Sequence, residues 1–110
     1  MDLRVVMGLR VALSITFALL AALSVPLVLH RVEPNWFYGF RTTRTLSSPE
    51  VWYPANAFAG RALLIAAIAS LAATWLVPAP AYATVWVPLL ICLGPLALAV
   101  IASFVYLRRI

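Results

Sequence analysis

Three long apolar runs, separated by one long polar stretch and one short one, set the pattern of the chain. Val11 to Leu29 carries no charged residue. As a helix rising ~1.5 Å per residue it would span roughly 28 Å, close to the ~30 Å thickness of bilayer hydrocarbon. Ala62 to Val77 is a second charge-free run that extends back through Ala55-Asn56-Ala57-Phe58-Ala59-Gly60, and Val85 to Leu107 is a third. The pattern predicts an all-α fold, an integral membrane bundle of three transmembrane helices over about residues 5–29, 49–77 and 82–107. They form a single domain, residues 1–110, with a long structured polar loop at 30–48 between helices 1 and 2. Arg4 and Arg10 precede the first run as in a signal peptide, but the run is long for one. No small-x-small cleavage site leads into polar sequence, so an uncleaved span is expected.

Local signals refine this outline. Proline has no N–H, so Pro26 leaves the carbonyl of Ala22 without its usual partner, and Pro95, after Gly94, does the same to Ile91. Val77-Pro78-Ala79-Pro80 ends the second helix in a short, stiff connection, with Trp75, Tyr82 and Trp86 expected at the membrane interface around it. The second helix starts at Leu46-Ser47-Ser48-Pro49-Glu50. Either Ser47 and Glu50 form a capping box, or Ser48 caps with Pro49 at the first helical position. From Pro49 to Val77 it is too long for the hydrocarbon alone, so its first turns must run through or along the interface, with Pro54 bending it. Ala55, Ala59, Ala62, Ala66, Ala69 and Ala73 make a small-residue face, which lets membrane helices approach closely. Ser14, Ala18, Ala21 and Val25 offer a matching face on the first helix. Packing inside one bundle and a homodimer seam are both uses for the stripe.

Composition agrees with a lipid-embedded chain. It is 65% hydrophobic and 10% charged with a mean hydropathy of +1.05, far from the soluble globular range. The net charge of +5 comes wholly from arginine. These arginines sit at helix ends and in the loop, not in a soluble basic domain, so nucleic acid is not an expected partner and the lipid bilayer is. Arg31, Arg41, Arg44, Arg61, Arg108 and Arg109 share one side, against Arg4 and Arg10 on the other. By the positive-inside rule this predicts an external N-terminus and a cytoplasmic loop and C-terminus. Cys92 reads as a small buried hydrophobe. His30 reads as a headgroup-level residue, and with few carboxylates besides it no metal site is expected. No cofactor and no catalytic residue are predicted, and the chain is not expected to be an enzyme.

The polar stretch PNWFYGFRTTRT, residues 34–45, holds the candidate chemistry. Trp52, Asn56 and Gly60 share a face of the second helix, and an asparagine in an apolar setting needs partners. Asn35, Arg41, Thr42, Arg44 and Thr45 are the nearest ones. The loop is therefore expected to fold back on the second helix, turning at Gly39, with Trp36, Phe37, Tyr38 and Phe40 holding it at the interface. Asn35, Arg41, Thr42, Trp52 and Asn56 are expected to form one connected cluster. Arg41 and Arg44 suit bidentate recognition of phosphate or carboxylate. The alternative is that they snorkel to headgroups and pair with Glu33 and Glu50.

The order Pro34-Asn35, Tyr38-Gly39-Phe40-Arg41-Thr42, Thr45, Trp52, Asn56 and Gly60 resembles the signature of the SdpI-type membrane proteins. In these, P-N-x-x-x-G-x-R-T is followed by a threonine and then by W-x-x-x-N-x-x-x-G at the start of a transmembrane helix. The type member is an immunity protein that protects its producer from a secreted, sporulation-delaying peptide toxin, and it also sequesters a transcriptional repressor. Longer members carry a further membrane domain on the N-terminal side that these residues lack. The resemblance implies a multi-pass protein of the bacterial cytoplasmic membrane. It also implies a ligand site at Asn35, Gly39, Arg41, Thr42, Thr45, Trp52, Asn56 and Gly60, with a toxin peptide as partner, to which the arginine chemistry adds an anionic lipid as the other candidate.

Three classes of function remain. One is an immunity or resistance module that binds a membrane-active peptide or anionic amphiphile. Another is a lipid-binding or transport protein. The third is a small structural or regulatory subunit of a larger membrane complex. A proton-coupled transporter would need an acidic residue at mid-membrane, and Asp2, Glu33 and Glu50 all fall outside the three runs.

Overall fold

A computed structural model describes residues 2–110, and within them all regular structure is helical, with no strand. Three long helices, α1 (Leu3–Val28), α2 (Pro49–Leu76) and α3 (Trp86–Leu107), are each long and apolar enough to cross a membrane. α2 is the middle element. Both α1 and α3 pack along it, and they make no comparable contact with each other. The molecule extends 50 Å along its long axis, more than the ~40–45 Å of a bilayer with its headgroups.

Each helix end has a specific cause. Asp2 caps α1 by accepting from the Arg4 N–H at 2.9 Å. The other end of α1 closes in a Schellman arrangement. The His30 N–H donates to the Leu27 carbonyl (3.3 Å) and the Arg31 N–H to the Pro26 carbonyl (2.9 Å). His30 takes the left-handed conformation this needs, at φ 58°, and its exposed ring stacks on Tyr53 with centroids 5.9 Å apart. α2 starts at Ser48 with Pro49 at the first helical position, but the Ser48 hydroxyl makes no capping bond. The Ser47 hydroxyl bonds back to the Arg44 carbonyl. The capping box is therefore not formed, and the proline geometry alone marks the start.

The carbonyl that Pro95 frees finds a partner on the neighbouring helix. The buried hydroxyl of Ser70 donates to Ile91 O at 2.8 Å, tying α2 to α3 in the apolar interior. Near the opposite end from the loop, Val6, Leu13, Phe17, Ala67, Tyr82 and Ile91 form the buried core. The connection from α2 to α3 is a short 3₁₀ helix, Ala79–Ala83, so α3 begins at Trp86, not at 82. That turn carries Tyr82 inward. Its ring is fully buried and its hydroxyl donates to Thr74 O at 2.6 Å, whereas Trp75 and Trp86 stay exposed as interface residues would. Arg10 closes the same end. It donates to the carbonyls of Thr74 (3.2 Å), which it shares with Tyr82, and Val77 (2.7 Å), at the end of α2 where carbonyls lack helical partners. Its guanidinium lies 5.3 Å from the Tyr82 ring centroid and 5.5 Å from that of Trp75.

The small-residue stripe is only partly the contact face. Ala55 and Ala66 are buried, but Ala69 is exposed, and the buried face of α2 runs instead through Asn56, Gly60, Ala67, Ser70 and Thr74. On α1 the matching residues are Leu13, Phe17, Ser24 and Leu27, while Ala18 and Val25 face outward. At the closest approach, a Cβ on Gly60 would sit 3.0 Å from both Leu27 Cβ and Ser24 O.

Candidate functional site

Because Gly60 abuts the last turns of α1, the first turns of α2 rise past the end of that helix. There they meet the C-terminal end of α3, where Phe58 stacks on Tyr106 with centroids 4.3 Å apart. The 30–48 loop folds onto this projecting segment, and three local devices shape it. Asn35 makes the first. Its Oδ1 accepts from the N–H groups of Phe37 (2.9 Å) and Tyr38 (2.7 Å) while its amide donates to Glu33 O (2.8 Å), which builds a compact Asx turn. Thr42 and Thr45 make the second by capping each other. The Thr42 N–H donates to Thr45 Oγ1 (2.7 Å) and the Thr45 N–H to Thr42 Oγ1 (3.1 Å), next to a short 3₁₀ turn at Thr45–Ser47.

The third device latches the loop to α2. The Phe40 N–H donates to Asn56 Oδ1 at 2.6 Å, and the Asn56 amide donates to the carbonyls of Phe40 (3.2 Å) and Trp52 (3.0 Å). One turn earlier, the fully buried Trp52 indole donates to Val32 O at 2.8 Å. Gly39 makes the latch sterically possible. Its φ is +115°, and a Cβ there would lie 2.7 Å from Asn56 Oδ1 and 3.1 Å from the Trp52 ring.

These bonds settle how the expected cluster divides. Asn56 does hold the loop, but through the backbone of Phe40 and not through Arg41, Thr42, Arg44, Thr45 or Asn35. Arg41 is exposed and donates to the Trp36 carbonyl; Arg44 reaches the Ile110 carbonyl. Every arginine side-chain bond among the described residues ends on a carbonyl, so the alternative of pairing with Glu33 and Glu50 is not what the side chains do. Of the aromatics, Trp36 is 77% and Phe37 90% exposed, while Phe40 packs edge-on against Phe104 of α3 at 5.0 Å.

Under the latched loop lies a groove of about 480 Å³, formed where α1 and α3 diverge on either side of α2. The loop segment Tyr38–Thr42 roofs it. Leu23 and Leu27 of α1, Leu63 of α2, and Ala99 and Phe104 of α3 line it. Its flanks are open toward the lipid-facing surface, where Leu23 is 50% and Val100 56% exposed. The polar side chains at its walls are few: Tyr38, Arg41, Thr42 and Ser103. The Ser103 hydroxyl is taken up by the Ala99 carbonyl at 2.7 Å. The Tyr38 hydroxyl is buried with no hydrogen-bond partner among the described residues, and burial pushes its pKa up from the ordinary phenol value.

Of the residues expected at the site, Gly39, Arg41 and Thr42 line the groove. Trp52 and Asn56 hold its roof from behind, Asn35 and Thr45 shape the loop, and Gly60 is a helix contact. Sequence reasoning missed Tyr38 as a polar group of the site, and missed the α3 wall altogether. The one signal for that wall is the small pair Ala99 and Ser103, one turn apart.

Comparison with curated proteins and with solved structures finds no match. A family model, however, matches residues 31–107, from the end of α1 through the loop, α2 and α3. That span contains the Asn35 turn, the threonine pair and the Asn56 latch together. Such membership supports a small multi-pass membrane protein of the immunity type. The chain belongs to the SdpI/YfhL protein family.

Proposed function

We propose that this chain is an immunity or resistance module of a bacterial cytoplasmic membrane, binding a membrane-active peptide or anionic amphiphile at the loop–α2 motif. The observation that carries this reading is the groove. It opens sideways to the membrane, is walled by apolar side chains, and has a single charged side chain, Arg41, at its roof. Ligand sites of this kind are mostly apolar, with a few placed polar groups that set orientation. A binding role is favoured over catalysis because the groove's polar side chains include no carboxylate, histidine or cysteine to act as base or nucleophile.

In this reading the latch keeps the roof rigid, so that Arg41 and Thr42 stand at a fixed height above the apolar walls. In the same reading, which the arginine asymmetry supports, this end of the bundle faces the cytoplasm and the groove takes up molecules already partitioned into the membrane. The test is protection. Sensitive cells expressing the chain are challenged with the peptide toxin against which the family's type member protects. Survival should rise with the wild-type chain and fall back with Gly39→Val, which displaces the roof. Equal survival with and without the chain would overturn the immunity reading.

A further inference from the structure

We infer that the groove takes one extended aliphatic tail of an anionic membrane amphiphile, with its head at Arg41; this rests on reading the loop–α2 end as the binding site. Size argues first. One turn of an α-helix, ~10 Å across and 5.4 Å long, fills roughly 420 Å³, so a groove of about 480 Å³ has room for little more than a single turn. A membrane-spanning peptide helix could place only about one turn in it. A single hydrocarbon chain fits, and it can slide in sideways between α1 and α3, where Leu23 and Val100 are half exposed.

Charge and hydrogen bonding argue second. Arg41 is the groove's one charged side chain, and no acidic residue lines it. The guanidinium has five N–H donors, of which the Trp36 carbonyl takes one, and the exposed side chain leaves the rest free to turn to a ligand head. Thr42, the next residue, also lines the groove, its hydroxyl paired with Thr45. Tyr38, a third roof residue, has a buried hydroxyl with no partner among the described residues. An unpaired buried hydroxyl is unfavourable, and a rotation of the Tyr38 ring toward the groove would give it an oxygen-rich head as acceptor. Phosphate and carboxylate heads fit this donor set; a phosphocholine head carries the same phosphate but adds a quaternary ammonium that the Arg41 guanidinium repels.

The energetics make a sharp distinction between head and tail. Moving an aliphatic tail from surrounding lipid to an apolar groove brings little hydrophobic gain, because lipid tails are as apolar as the leucines that replace them. Selection must therefore come from the head, where charge-assisted bonds form in a partly dry setting. The groove admits a tail by shape, and Arg41 chooses the head.

The probe is lysophosphatidylglycerol, compared with lysophosphatidylcholine of the same tail, added to the detergent-purified protein and followed by native mass spectrometry. The wild type should retain the anionic form at least tenfold more than the zwitterionic one, with little change between 14- and 18-carbon tails. Arg41→Gln should bring the two heads to parity. Ala99→Phe should abolish retention by filling the groove. Val100→Trp, on its more exposed flank, should do the same should Ala99→Phe fail to fold. Equal retention of both heads by the wild type, or undiminished retention by a folded groove-filled variant, would overturn the inference, as would a strong dependence on tail length. The immunity reading is tested separately by toxin challenge. A chain that protects cells but does not discriminate heads sinks only the lipid inference, and one that discriminates but does not protect sinks only the immunity reading.

Discussion

The side chain of Asn56 pairs with the backbone of Phe40 as one peptide group pairs with another. Its oxygen accepts from the Phe40 N–H and its nitrogen donates to the Phe40 carbonyl, across sixteen positions of sequence. The amide thus satisfies both polar groups of one loop residue in an otherwise apolar setting. Asn56→Ala removes this at a site only 2% exposed, leaving the Phe40 N–H and carbonyl unpaired. Each such loss costs about 1–3 kcal/mol. We expect a clearly lowered melting temperature in detergent, followed by tryptophan fluorescence. Asn56→Asp keeps the acceptor but loses both donations, and should also melt early.

Gly39 should tolerate no side chain. Its positive φ and the 2.7 Å approach of Asn56 Oδ1 act together, and backbone strain of this kind costs of order 1–3 kcal/mol for a non-glycine residue. Gly39→Ala is expected to loosen the loop without unfolding the three helices. Proteolysis at the 30–48 segment should therefore accelerate while helical circular dichroism is retained. Unchanged cleavage would show that the loop does not depend on the latch.

Overpacking separates the real helix contact from the apparent one. Ala66→Leu and Gly60→Leu place bulk against a packed neighbour, at a typical cost of about 1–3 kcal/mol. Ala69→Leu adds the same bulk to an exposed position and should leave the melting temperature at the parental value. Equal destabilisation by Ala66→Leu and Ala69→Leu would mean that α2 is rotated from its position here.

The spans were legible in the sequence because lipid demands uninterrupted apolar runs, and the freed carbonyl of Ile91 followed from Pro95 alone. What the sequence did not disclose was which side of α1 faces inward. In a membrane both faces are apolar, so Leu13 and Phe17 look no more buried than Ala18 and Val25. The small-residue rule pointed to the latter pair, but α1 contributes large side chains that fill space beside the small ones of α2. The partner of Asn56 was hidden for a different reason. It is a backbone group, which any residue at position 40 would supply, so the polar side chains nearby drew attention that belonged to the main chain. Tyr82 read as an interface ring because the 3₁₀ turn that carries it inward leaves no apolar periodicity to detect.

Orientation is open to direct measurement. The arginine count predicts that Ser47, at the loop end of the bundle, faces the cytoplasm. In a Cys92→Ser background, Ser47→Cys should resist a membrane-impermeant maleimide in intact cells and react after permeabilisation. Labelling of intact cells would reverse the topology, and the groove would then open to the outer leaflet.

The central position of α2 also dictates an order of assembly. α1 leaves the insertion machinery with Leu13, Phe17, Ser24 and Leu27 unmatched, since the surface they fit belongs to a helix not yet made. α3, in turn, finds the hydroxyl for its Ile91 carbonyl only on Ser70. The α1–α2 contact and the Asn56 latch draw on residues made before α3, while the core and the loop are completed by Ile91 and Phe104 of that last helix. The groove, whose far wall is α3, is complete only once that helix has docked, so a chain cut before Trp86 would carry the loop motif with no place to bind.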